Sequence, residues 1–280
     1  MTKAAKEKLA FQLLTIASVM VLIPTVGIIV YIVIKGLPAI NWSFLTEPPR
    51  NMMTEGGIYP AIMGTLYLVL GTIAIALPLG VGAAIYLNEY AGTSRMRRLV
   101  HLAIVNLAGV PSVVYGLFGL GFFVIVLGFG RSLIAGSLTL AIMILPVIIT
   151  TTEEALKSVP NSYREASLAL GATKWQTVRN AVLPSATPGI ITGTILGIGR
   201  AAGETAPILF TVAAFYLPSI PKSIFDQAMA LPYHLYILVT EVPNVPEETK
   251  FGTALVLLTL VVGLNLVAVL IRTRTRRRSY

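Results

Sequence analysis

Arg200 and Glu204 are the residues whose chemistry most needs explaining, because they are the only charges in the apolar stretch Gly189–Tyr216. A spacing of four puts both side chains on one face of a helix. A guanidinium presents several donors in a planar fork that fits the oxygens of an oxyanion. The functional reading is an anion relay, in which Glu204 holds Arg200 when the site is empty and releases it to the substrate. The alternative is a self-neutralising ion pair that only fixes helix packing, although a leucine pair would do that without the desolvation cost. From Pro188 to Arg200 is 12 residues, about 18 Å of helix. With a hydrocarbon core about 30 Å thick, that places the pair near the midplane. A lone charge there costs ~2.5–3.5 kcal/mol, and ionisable residues at such depth mark pathways. Thr205 adjoins the pair and joins the candidate pathway.

Other chemistry is scarce. The chain has no cysteine, and its two histidines, His101 and His234, do not have metal-ligand spacing. It contains no G-x-x-x-x-G-K-[ST] phosphate loop. Gly197, Gly199 and Gly203 miss the dinucleotide spacing. They read instead as packing pairs, Gly193 with Gly197 and Gly199 with Gly203. An intramembrane hydrolase would need a serine–histidine, paired-aspartate or metal constellation, and no apolar stretch holds one. Gly109–Gly116 carries Pro111, Ser112 and Tyr115, and it either lines a pathway or merely kinks a helix.

The elements that must position these residues are membrane spans. Of 280 residues, 55% are hydrophobic and only 12% charged, with a mean hydropathy of +0.81, about half the charge of a soluble domain. Six apolar stretches are each long enough to cross a bilayer: Phe11–Ile34, Gly56–Asn88, Leu99–Gly130, Ser132–Thr152, Gly189–Tyr216 and Phe251–Ile271. The first is too long for a signal-peptide core and reads as a retained helix. With residues 1–10 inside, 15 of the 21 Lys and Arg fall on inner segments and five on outer ones. The positive-inside rule is satisfied, with both termini cytoplasmic. The tail Arg272–Tyr280 then meets anionic lipid rather than nucleic acid. Trp42 and Phe44 read as an interfacial aromatic belt, and Glu89 and Tyr90 as the boundary of the second span. The outer segment Leu217–Lys250 holds five prolines and should be ordered by packing more than by regular structure.

One inner loop, 153–187, has strong local signals. Ser162-Tyr-Arg-Glu165 is a capping-box pattern that would start a helix, and Gly171 suits its left-handed end. A second box, Thr173-Lys-Trp-Gln176, opens another helix, expected to stop before Pro184.

Glu165-Ala166-Ser167, three residues, Gly171, nine residues and Ala181-Val-Leu183-Pro184 together resemble the EAA loop of ABC-importer permeases. Ser167 stands where that pattern has a third alanine, and Ala181 where it has isoleucine. Five further segments resemble the A-type permease of phosphate-specific ABC transporters: Arg200-Ala-Ala-Gly-Glu-Thr-Ala-Pro207, Asn41-Trp-Ser-Phe44, Glu47-Pro-Pro-Arg50, Gly56-Gly57 through Gly64-Thr65, and Ala108–Gly116. The resemblance implies an all-α type I (MetI-like) permease with six transmembrane helices. Its single domain would span 11–271, with a core from about 62, ahead of a basic tail at 272–280. It implies a coupling loop docked on a separate ATPase through Glu165, Ala166, Ser167, Gly171, Leu183 and Pro184. The substrate would pass Arg200, Glu204 and Thr205, with Ser112 and Tyr115 as weaker candidates. The implied partners are a C-type permease, two copies of the ATPase, a phosphate-binding protein and membrane lipid. ATP and magnesium would be used by the partner, with no cofactor or metal on this chain. Permeases for sulfate or molybdate share the EAA loop and are the rival reading.

Overall fold

The computed structural model describes residues 3–92 and 94–278, most of them helical. Met1, Thr2, Thr93, Ser279 and Tyr280 lie outside the described residues, so the extreme ends of the expected inner N-terminus and basic tail do too. Helix α1 (Lys3–Gly36) carries no charge from Phe11 to Ile34 and stands at the periphery. Its end meets the last helix, where Tyr31 packs edge-on against Phe251 at 5.3 Å. The short helix α2 (Trp42–Thr46) starts at Asn41, whose Oδ1 accepts the Phe44 N–H at 2.8 Å. The Phe44 carbonyl then accepts the Ile58 N–H at 2.8 Å. That tie draws the Phe44 ring into the core, leaving Trp42 alone as the exposed aromatic and correcting the expected belt. Strands β1 (Pro49–Arg50) and β2 (Glu55–Gly56) form a small antiparallel ribbon.

Helix α3 (Tyr59–Ile85) runs on through a π turn, Tyr86–Tyr90. Helix α4 (Arg95–Ala108) then bends by 102° into α5 (Ser112–Gly119), which continues as a π segment to Val126. Pro111 lacks an N–H and keeps Val110 out of helical geometry, which causes the break. Helix α6 (Leu133–Lys157) follows, then α7 (Asn161–Ala169) and α8 (Lys174–Thr177). A π turn, Val178–Val182, joins α8 to α9 (Leu183–Gly203). The expected stop before Pro184 therefore does not occur. The Leu183 N–H reaches back five residues to Val178, and the shifted register lets the chain pass a proline that has no donor. The chain closes with α10 (Ala206–Thr211), α11 (Leu231–Thr240) and α12 (Glu247–Arg278). Helix α11 and the first turn of α12 are regular pieces of the segment expected to be irregular. Among the described residues, five helices are long and apolar enough to cross a membrane, or six when α4 and α5 count as one bent span.

Helix α6 is central, flanked by α3 and α9, with α12 behind α9 and α1 outermost. Leu68, Leu140, Met143, Ile144 and Ile148 fill the centre. Lipid gives no hydrophobic drive to helix pairing, so close approach of small residues must supply the contact. Along α9, Gly189 faces Ala155, Gly193 faces Thr151, and Gly197 faces Ile148 and Ile144. This four-residue ladder runs antiparallel along α6 and sets the depth of everything beyond it.

Candidate functional site

Arg200 lies three residues beyond Gly197, in the last turn of α9. The helix does not carry on to Glu204. It ends at Gly203, and Glu204 is extended at φ −74°, ψ 136°. Pro207 sits in the first turn of α10, so the chain has to leave α9 before restarting. The two side chains still meet, with Arg200 Nε 3.7 Å from Glu204 Oε1. That is an ion-pair separation beyond hydrogen-bond reach. The side chains are 32% and 18% exposed, leaving the guanidinium open to one side. Arg200, in the last turn of α9, also offsets the negative end of that helix. Thr205 is half-buried between the two helices.

The two segments singled out around 108–116 and 200–207 pack on one another, α5 against α10. Gly116 lies so close that an added Cβ would come 3.0 Å from the Pro207 Cα and 2.7 Å from the Phe210 ring. Tyr115 is buried, and its hydroxyl donates to the Leu107 carbonyl at 2.7 Å. That carbonyl also accepts the Val110 N–H at 3.1 Å, so the phenol adds a further bond at the bend. Its observed work is to hold the bend. Ser112 is half-buried at the start of α5. Of the expected glycine pairs, Gly193 and Gly197 pack as predicted, and Gly199 meets Asn265 of α12. Gly203 has nothing within 4 Å and is not a packing position. Asn265 was not singled out from sequence because it carries no charge. Its Oδ1 is buried without a partner, one residue from the level of Arg200.

The coupling loop is a rigid unit. Helix α7 begins one residue before the predicted cap, behind Pro160, so the Ser162–Glu165 box does not form. The proline itself imposes the entry geometry. Gly171 takes φ +82°, with its N–H on the Leu168 carbonyl at 2.9 Å and that of Ala172 on Ser167 at 3.3 Å. This is a Schellman end. The Thr173–Gln176 box is complete, with both bonds made, at 3.3 and 2.8 Å. Ser167, the departure from the small-residue pattern, bonds Thr177 across the turn at 2.9 Å. Glu165 and Ala166 are exposed, as are Tyr163, Leu168, Leu170 and Trp175 around them. Leu183 packs partly inward and Pro184 is exposed. Arg164 and Glu89, distant in sequence, form an ion pair at 2.7 Å that fastens this unit to the end of α3.

Residues 76–279 match the family described as the binding-protein-dependent transport system inner membrane component. The chain belongs to that family. The phosphate transport system permease protein PstA 1 of Mycobacterium tuberculosis is 40% identical over 98% of this chain and 91% of its own length. The probable ABC transporter permease protein YqgI of Bacillus subtilis is 34% identical over 94% of both. Two solved transporters share the fold. A bacterial alginate ABC transporter has a TM-score of 0.67 at 16% identity, covering 98% of this chain and 96% of the other. The inward-facing MetNI methionine transporter has a TM-score of 0.60 at 19% identity, covering 78% and 97%. The fold is thus the type I importer permease expected from sequence. As a member of this family, the chain is a multi-pass membrane subunit of a multi-component transport assembly, and its task is passage rather than catalysis.

Proposed function

We propose that this permease is the A-type membrane subunit of an importer that carries inorganic phosphate into the cytoplasm. The observation that carries the reading is its 40% identity to PstA 1 over nearly the whole chain. Arg200 gives the reading a mechanism, since a guanidinium beside a helix break at mid-depth compensates a dehydrated oxyanion. Glu204 holds the fork loosely at 3.7 Å when no anion is there. Thr205 supplies a hydroxyl beside it, and Ser112 and Tyr115 sit on the facing element.

Both termini lie in the cytoplasm, and the 153–187 loop docks on an ATPase dimer through Glu165, Ala166, Ser167, Gly171, Leu183 and Pro184. A C-type permease completes the pathway, and a phosphate-binding protein delivers the anion from outside. Closure of the ATPases on ATP pulls the two coupling loops together and opens the cavity outward, and hydrolysis reverses it. The capped, bonded loop suits this work because a stiff lever passes on displacement that a floppy one would absorb.

The test is ATP-dependent uptake of radiolabelled phosphate by the reconstituted complex with its binding protein. Uptake that excess sulfate or molybdate leaves intact supports the reading. Uptake of sulfate or molybdate in preference to phosphate overturns it. The chain contains no cysteine, so single introduced cysteines near each end report the side of the membrane directly.

A further inference from the structure

A cavity lined by polar side chains lies between the start of α4 and the end of α6, and Arg200 is not part of its lining. It has a volume of about 340 Å³ and is lined by Ser94, Arg97, Arg98, His101, Glu153 and Lys157. We propose that it is a binding site for a phosphate group that also carries a hydrogen-bond donor.

Charge is the first reason. Three cationic side chains face one carboxylate. Among the described residues, neither Arg97 nor Arg98 pairs with an acid, and Arg97 spends one N–H on the Gly92 carbonyl at 3.2 Å. Helix α4 has no acidic residue in its first turn, which carries Arg95, Arg97 and Arg98 instead. The positive end of a helix disfavours cations, so this arrangement is costly until an anion occupies it.

Glu153 is the second and independent reason. Its side chain is 2% exposed, and one oxygen is shared between Lys157 at 3.3 Å and His101 at 3.4 Å. The other oxygen, Oε1, is buried without a partner. A buried carboxylate oxygen calls for a donor. A ligand that suits the whole cavity therefore offers acidic oxygens to the guanidinium forks and an O–H or N–H to Glu153. Hydrogenphosphate does so, and so do the glycerol and ethanolamine headgroups of phospholipids. Sulfate and a phosphocholine headgroup offer no donor. Helix α4 also exposes Met96, Leu99, Leu102 and Val105 along its length, an apolar strip that acyl chains would cover. The site is separate from the pathway and does not depend on which anion is transported.

The experiment uses the purified complex. One arm is native mass spectrometry after exchange into phosphatidylethanolamine, phosphatidylglycerol or phosphatidylcholine. The other is equilibrium dialysis of delipidated complex against radiolabelled phosphate, with sulfate as competitor. Arg97→Gln/Arg98→Gln is the test variant. Arg95→Gln, on the same exposed turn but outside the cavity, is the control. Neither change touches the core. Retention of donor-bearing lipids over phosphatidylcholine, lost about tenfold in the double variant only, identifies a lipid site. Saturable phosphate binding that sulfate does not displace, with the same variant pattern, identifies a site for the free anion. Binding of neither, equal loss in Arg95→Gln, or retention of phosphatidylcholine as strong as that of the others overturns the proposal.

Discussion

Arg164 of the coupling loop grips Glu89 at the end of α3 with two nitrogens, at 2.7 and 3.3 Å, across 75 residues of sequence. The same guanidinium donates to the carbonyls of Leu156 and Val159, each at 2.9 Å. Arg164 thus joins the loop to two transmembrane helices at once. The side chains are only 18% and 8% exposed, so solvent screens the pair little. This contact gives a displacement of α7 a direct route into α3 and α6.

Removing one partner of a buried, bonded pair leaves the other charge uncompensated, at a cost of about 3–5 kcal/mol. Glu89→Ala and Arg164→Ala should each lower thermal stability in detergent and uncouple ATP hydrolysis from transport. The double variant should cost less than the two singles added. Strict additivity in that cycle would show that the pair is not energetically coupled.

Ser167 bonds Thr177, which is itself buried. Ser167→Ala restores the alanine of the EAA pattern but strands the Thr177 hydroxyl, at a cost of about 1 kcal/mol. The expected outcome is a small fall in melting temperature with ATPase docking retained. A rise in melting temperature would show that the bond contributes nothing.

Arg200→Lys keeps the charge and loses the fork. Removing one charge-assisted hydrogen bond to the passing anion costs about 1.5–3 kcal/mol, which corresponds to roughly ten- to a hundredfold slower uptake. Assembly with the ATPase should be unaffected, as pull-down of the complex would show. Uptake at the normal rate would remove Arg200 from the pathway.

Two glycines make opposite predictions. Gly116→Ala would drive a methyl against the Pro207 backbone, at about 1–3 kcal/mol for overpacking, and should impair both folding yield and uptake. Gly203→Ala meets open space and should be tolerated. Equal sensitivity at both positions, measured by expression and uptake together, would contradict the α5–α10 packing.

Much of this was legible because membrane constraints are coarse. The apolar stretches, Gly171 and the Thr173–Gln176 box each express a local rule, and the structure has long helices on most of the stretches, a left-handed Gly171 and a complete box. What could not be read has a different physical origin. A π turn at Val178–Val182 adds one residue to a helical turn without altering composition, so Pro184 looked like a stop. Glu89 read as a span boundary and Arg164 as an inner position of a capping-box pattern, and only the third dimension pairs them. At Arg200 the residue types pointed to the chemistry, but the break at Gly203 and the packing of Pro207 against Gly116 show only in the fold.

His234 in α11 supplies a prediction for pH. Its side chain is 3% exposed, and Nδ1 has no partner. Burial pushes the imidazole down to about 4, from an ordinary value of 6.5. The folded protein therefore holds this ring neutral where the unfolded chain would protonate it. Its contribution to stability is intact above about pH 6.5 and erodes as pH falls toward about 4, by roughly 3 kcal/mol across that window. Purified protein in detergent should melt lower at about pH 5 than at about pH 7.5. His234→Gln cannot titrate and should flatten that part of the difference, even if its own melting temperature is lower throughout. A pH dependence unchanged in the variant would assign the acid sensitivity to another group.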